Sequence, residues 1–155
     1  MFMLPKTKKT IIWSVAGLVV LAILLNFVSG EIFSLRYWNL IRRVYFKNTL
    51  VKAEVVKSQR KIEQGLAWRK KLPAERGMLF AMPSESSQRF WMKGMQFSID
   101  IIWIKGGRVV GCEERISPDD QRIFTSPGAA GLVLEVSAGF CDQYDVQVND
   151  KVEIR

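Results

Sequence analysis

The sequence predicts a mainly β domain, a small antiparallel β-sandwich or barrel with one short helix, preceded by an N-terminal transmembrane helix. Three observations carry that reading. From Leu50 onward apolar residues recur with a period of two in short runs, the spacing of half-buried strands. Turn residues separate the runs, among them the pair Gly106-Gly107, a strong hairpin signal. Ahead of the runs stand 18 uncharged, mostly apolar residues, Ile11 to Val28.

The apolar stretch comes first in the chain. At about 1.5 Å per residue it spans about 27 Å, enough to cross the core of a bilayer. A signal-peptide core is shorter, about 7–15 residues, which favours an uncleaved anchor. Val28-Ser29-Gly30 still offers small residues for cleavage, so secretion after signal removal is the alternative. Lys8 and Lys9 nearly touch the stretch, whereas the first basic residue after it is Arg36. By the positive-inside rule this places the N-terminus in the cytoplasm and the domain outside, single-pass in the cell membrane with lipid as its first partner. Residues 1–30 are thus read as the anchor, 31–47 as a juxtamembrane segment and 48–155 as the domain. On a helix, Glu31–Lys47 would set Arg36, Arg43 and Lys47 on one stripe and Tyr37, Ile41 and Val44 opposite. That suits either a helix lying in the headgroup layer or a simple continuation of the span.

Leu50–Val56 alternates as a strand. Ser58–Leu66 reads as a short helix with Ser58 as N-cap and Ile62 and Leu66 on one face. Met78–Met82 is an apolar run stopped by Pro83 and followed by a Ser-rich loop. Arg89–Lys93 and Ile99–Ile104 are strands, the second leading through the glycine pair into Arg108–Cys112. Ser117-Pro118-Asp119-Asp120 and Ser126-Pro127-Gly128 are turns, and Gly131–Ser137 and Val152–Ile154 complete the set.

Composition removes many function classes. The chain has no histidine, hence neither the commonest general base nor the commonest metal ligand. Two cysteines, Cys112 and Cys141, are too few for a thiolate-rich metal site. No metal and no cofactor is expected. Residues 1–50 carry seven basic residues against one acidic, while residues 51–155 carry sixteen against fourteen. The basic charge flanks the apolar stretch and does not sit on the domain, which argues against a nucleic-acid partner.

The candidate residues follow from strand parity. Asp100 shares a face with Ile102 and Ile104, while Ile99, Ile101 and Trp103 share the other. Glu135 shares a face with Val133, opposite Leu132, Leu134 and Val136. Both carboxylates are therefore expected in or beside the core, where each must be bonded, paired or protonated. Lys93 shares a strand face with Trp91 and Arg89. One reading makes Asp100 and Glu135 an acid–base pair beside Lys93, acting on a glycan-like envelope polymer. The other makes each a satisfied structural carboxylate, bonded to backbone N–H groups or paired with Lys93 or Arg108. Trp91, Trp68 and Trp103 are candidates for an aromatic platform or for core, with Trp103 the surest core member. Lys93 and Arg69 would supply charge to a ligand held by Trp91 or Trp68. Cys112, closing the second hairpin strand, and Cys141, following Gly139, form a disulfide if their strands are neighbours and the domain is exported.

The ordered series Gly65-Leu66-Ala67-Trp68-Arg69, Gly77-Met78-Leu79-Phe80, Phe90-Trp91-Met92-Lys93, Ile99-Asp100-Ile101-Ile102, Val109-Val110, Ser126-Pro127-Gly128, Val133-Leu134-Glu135-Val136, Ala138-Gly139-Phe140 and Asn149-Asp150-Lys151-Val152 resembles an uncharacterised bacterial and archaeal family, number 192 among the domains of unknown function. The resemblance covers about residues 50–155. It implies a compact, mainly β fold, often exported behind a signal or anchor, and no activity. Two departures stand out: Gly94-Met95 where the family has Asn-Thr, which weakens a polar site there, and Asn149 where it has Gly before Asp150. Asn tolerates the left-handed backbone of a tight turn. The leading functional expectation is a membrane-tethered envelope module, non-catalytic, binding a glycan-like ligand or an envelope protein. The alternatives are the hydrolase or transferase using Asp100 and Glu135, and a structural subunit of a membrane complex reached through Glu31–Lys47.

Overall fold

In a computed structural model the described residues are 40–47 and 49–155. They form β1 (Leu40–Phe46), β2 (Thr49–Val56), α1 (Gln59–Gln64), β3 (Arg76–Phe90), β4 (Ile99–Lys105), β5 (Arg108–Ile116), β6 (Phe124–Ser137), α2 (Phe140–Gln143) and β7 (Val152–Ile154). The span predicted at Ile11–Val28 lies outside the described residues, as does the first part of the segment Glu31–Lys47.

The strands make one sheet in the order β5-β4-β6-β3-β2-β1-β7, curled into a half-barrel. The domain is therefore mainly β, as read from the sequence, but it is neither a sandwich nor wholly antiparallel. β2 and β3 run parallel, with Ala53 opposite Gly77 and Val55 opposite Leu79. A parallel pair cannot be closed by a tight turn, so residues 57–75 cross over the sheet and carry α1. At one end the curl brings the outer strands together. Arg108 bridges Lys151 across them, and the Asn149 N–H donates to the Val109 carbonyl at 2.8 Å.

Alternation along the strands splits the core between the two faces. One cluster gathers Val44, Phe46, Val51, Leu79, Ile102, Ile104, Leu134 and Val136 with Phe140 and Cys141 of α2. The other gathers Met78, Phe80, Phe90, Ile99, Ile101, Trp103 and Val133 with Leu66, which follows α1. β4 is buried on both sides over its first six residues, as a central strand requires. Burying a Leu, Ile or Phe side chain contributes about 1.5–3 kcal/mol, so this paired core is the main source of stability.

Besides α2, a second short helix where one was expected, three elements differ from the sequence reading. Leu40–Phe46 is a strand and no helix, paired with β2 on one side and with β7 on the other. Its buried Val44 and Phe46 alternate with the half-buried Tyr45, and two partners supply the backbone bonds that a helix would make internally. β3 does not stop at Pro83; it runs on through the Ser-rich stretch to Phe90 and ends before Lys93. The β3–β6 register shifts between Ala81 and Ser86, so Pro83 sits where no ladder N–H is needed. The buried Gln88 side chain faces the carbonyls of Ser84, Ser86 and Ala130 there, holding the bulge together. In the same way Ser126-Pro127-Gly128 is no turn but part of β6 opposite that irregular stretch. The Gly106-Gly107 hairpin is as read, with φ of 53° and 72°, both in the left-handed region that favours glycine.

Candidate functional site

Asp100 is fully buried in β4, and its surroundings account for it completely. One carboxylate oxygen accepts the Arg115 N–H at 2.7 Å and the Gly139 N–H at 3.1 Å; the other accepts the Cys141 N–H at 2.9 Å. The first donor is free because β5 bulges. Ile99 pairs Ile116 but Ile101 pairs Glu113, leaving Arg115 in a left-handed conformation, φ 52°, with its N–H out of the ladder. The other two donors head the short helix α2. Asp100 is thus a satisfied structural acceptor that pins α2 and the β5 bulge to the sheet. The Arg115–Asp142 ion pair reinforces the same junction from the surface.

Beside it, Cys112 and Cys141 are joined as a disulfide with Cα atoms 7.0 Å apart. Asp100, Cys112 and Cys141 are close enough together to suggest a metal set. Their ligand atoms, however, are engaged in the S–S bond and in the three N–H contacts.

Glu135 is different. It lies one residue from the Asp100 partner Val136 in β6, opposite Ile101 and Met78, and so projects from the other face of the sheet. The two carboxylates are not brought together. Only 5% of Glu135 is exposed, and its Oε2 has no hydrogen-bond partner among the described residues. Burial pushes its carboxyl up to about 8, against the opposing pull of the Arg69 charge. At neutral pH it is therefore mostly protonated, a neutral O–H donor without an acceptor among the described residues.

That side chain lines a cavity of about 210 Å³ between the sheet and the crossover. The crossover supplies Gln59, Ile62, Glu63 and residues 64–67; the sheet and the segment after β3 supply Met82, Arg89, Phe90, Trp91, Lys93 and Met95. Gly65, at φ 51°, closes α1 over the carboxyl; a Cβ there would lie 3.7 Å from Glu135 Oε2. Arg89, Trp91 and Lys93 are exposed at the mouth, as are Gln59, Glu63 and Gln64 of the crossover. Neither cation has a hydrogen bond or ion pair among the described residues, so both charges are available there.

The remaining predicted residues divide clearly. Lys93 and Trp91 meet Glu135 at this cavity, whereas Trp68 and Arg69 do not line it. Arg69 is committed to Glu54 by a two-pronged ion pair of 2.6 and 2.8 Å, and Trp68 is 72% exposed over Gly94. Trp103 is core, edge-on to Phe90. Neither structural partner proposed for Glu135 holds, since Arg108 bonds the Asn149 carbonyl and Lys93 makes no ion pair with it. Arg89, Gln59, Glu63 and Gln64 were not singled out in the sequence. The available signal was Arg89 on the face of Trp91 and Lys93, together with the short helix that must cover part of the sheet.

No curated protein matches the chain. Two crystal structures share its fold. A protein of unknown function from Novosphingobium aromaticivorans DSM 12444 has a TM-score of 0.68 and 24% identity, over 74% of this chain and 84% of that one. A Sinorhizobium meliloti 1021 protein, described as a "putative transcription regulator", has a TM-score of 0.72 and 24% identity, over 75% and 95%. At this identity they show the fold alone. The model of the uncharacterised ACR family DUF192 matches residues 43–154, and the chain belongs to that family.

Proposed function

We propose that this DUF192 domain is a non-catalytic module that binds a small ligand in the Glu135 cavity, tethered to a membrane with its fold on the outer side. The observation that carries the reading is the orphaned Glu135 Oε2, buried in the wall of a cavity open to solvent. An unsatisfied buried polar group costs about 1–3 kcal/mol, and a ligand that accepts a hydrogen bond from it recovers that cost. The hydrolase alternative needs two convergent carboxylates, and Asp100 and Glu135 lie on opposite faces of the sheet. A nucleic-acid role finds no support in the nearly balanced charge of residues 51–155. Tethering rests on the apolar stretch Ile11–Val28, and the outer location on Lys8 and Lys9 with a disulfide suited to an oxidising compartment.

A thermal-shift screen of small acids, sugars and peptides tests the binding reading. A ligand at about 100 times its Kd stabilises by about 2.7 kcal/mol, a rise of several degrees. The expected hit loses its effect in Glu135→Leu. A screen in which nothing raises the melting temperature, or in which hits ignore Glu135, overturns the reading. Protease added to intact cells should cut the domain; protection until lysis would reverse the orientation.

A further inference from the structure

The cavity carries information about what it holds, because its depth and its mouth offer different chemistry. At depth stands a carboxyl that can donate a hydrogen bond and finds no acceptor among the described residues. At the mouth stand two cations, Arg89 and Lys93, unpaired among the described residues and flanking in the sequence Trp91, which is 51% exposed. Trp91 and Lys93 also line a second, more open depression with Gly94 and Asp119. A ligand matched to this arrangement carries an acceptor oxygen to point inward, a negative charge to leave outward and a ring to lie against the indole. We infer that the cavity takes a small anionic ring compound of the acidic-monosaccharide class, with a hydroxyl or ring oxygen accepting from Glu135 and the carboxylate between Arg89 and Lys93. The inference rests on the ligand-binding reading and adds the class of ligand to it.

Electrostatics supports this placement. The charged groups facing the cavity are Glu63 on α1, Arg89 on β3 and Lys93 after it, with Arg69 and its partner Glu54 behind. Glu63 is engaged by the Gln59 amide at 2.8 Å. With Glu135 neutral, the mouth has a surplus of positive charge and admits an anion. Once Glu135 ionises it loses its donor and adds a repelling charge. Affinity is therefore level below about pH 8 and falls about tenfold for each unit above it.

The test titrates the full chain, purified in mild detergent, with D-glucuronate, D-glucose and acetate, following Trp fluorescence and heat at pH 6.5 and pH 9. Expected is glucuronate binding at least about tenfold tighter than either control at pH 6.5, weakened about tenfold at pH 9. Glu135→Gln keeps a neutral donor and should bind equally at both pH values. Arg89→Gln with Lys93→Gln, both at exposed positions that leave the fold intact, should abolish the preference for glucuronate over glucose. Glucose binding as well as glucuronate, acetate matching it, or wild-type binding that ignores pH would each overturn the proposal. If all three probes fail while another compound binds in a Glu135-dependent way, the ligand class is wrong and the binding site stands. If nothing binds at all, both fall together.

Discussion

Replacing Asp100 by alanine removes one side chain and strands three backbone donors. The Cys141 N–H bond is buried, so its loss costs the full penalty of an unsatisfied donor, about 1–3 kcal/mol. The Arg115 and Gly139 bonds are partly buried, and water can replace the carboxylate there at about 0.5–1.5 kcal/mol each. Together these give about 4 kcal/mol, a large share of the about 5–15 kcal/mol typical of a domain. Asp100→Asn is the informative partner. Its carbonyl can serve Arg115 and Gly139, but its amide then faces the Cys141 N–H donor to donor, so about 2 kcal/mol is lost. Urea unfolding of oxidised protein, with unchanged slope and shifted midpoint, reads both values. The expected order is wild type, Asn, Ala. An Ala variant within about 1 kcal/mol of wild type, or more stable than it, would refute the structural role argued from the three bonds.

Glu135 yields a pH prediction of definite sign. Its carboxyl titrates near 8 when folded and near 4.5 when unfolded, so between those values the folded state holds the extra proton. Stability then falls as pH rises from about 4.5 to about 8, at up to about 1.4 kcal/mol per unit, and levels off beyond. Glu135→Gln should match wild type near pH 4.5 and exceed it by about 3 kcal/mol at pH 7; parallel melts across pH would contradict the raised carboxyl. Cys112 and Cys141 close a loop with a sequence separation of 29, and replacing both by alanine should cost about 3–4 kcal/mol in the chain-entropy model. Intact mass after alkylation should show no added groups before reduction and two after it; two groups added without reductant would show free thiols. Gly77→Ala should destabilise by about 2 kcal/mol or more by overpacking, because a Cβ there meets the Glu135 carbonyl at 2.8 Å and Val51 at 2.9 Å. A melting point unchanged by this substitution would show that the β2–β3–β6 contact has room to give.

What the sequence made legible was mostly local. Period-two alternation assigned the faces within β4 and within β6, but it left open whether Asp100 and Glu135 meet; the register that pairs Ile101 with Glu135 sets them on opposite faces. Gly106-Gly107 marked its hairpin because both positions need positive φ. Long-range pairing was hidden. The helical stripe drawn over Arg36, Arg43 and Lys47 took no account of β7, whose three residues lie beside β1 only after the whole chain has folded. Pro83 and Pro127 looked like breakers because nothing local shows that the ladder slips where they stand. The same limit explains the site. Strand parity placed Glu135 on a core face, but that residues 57–75 would cover it without supplying an acceptor depends on the crossover, and so on the parallel pairing of β2 and β3.

That crossover has a consequence for how such a domain can diversify. Half of the cavity wall belongs to a connection held to the sheet through particular residues, among them Leu66 in the core and Arg69 on Glu54. Lengthening a surface connection is thermodynamically mild, about 0.6 kcal/mol for each doubling. Descendants of one ancestor can therefore rewrite the exposed positions of residues 57–75, resizing the chamber above Glu135, while Leu66, Arg69 and every strand pairing are kept. Selection for a new guest and selection for a stable sheet act here on different stretches of the same chain.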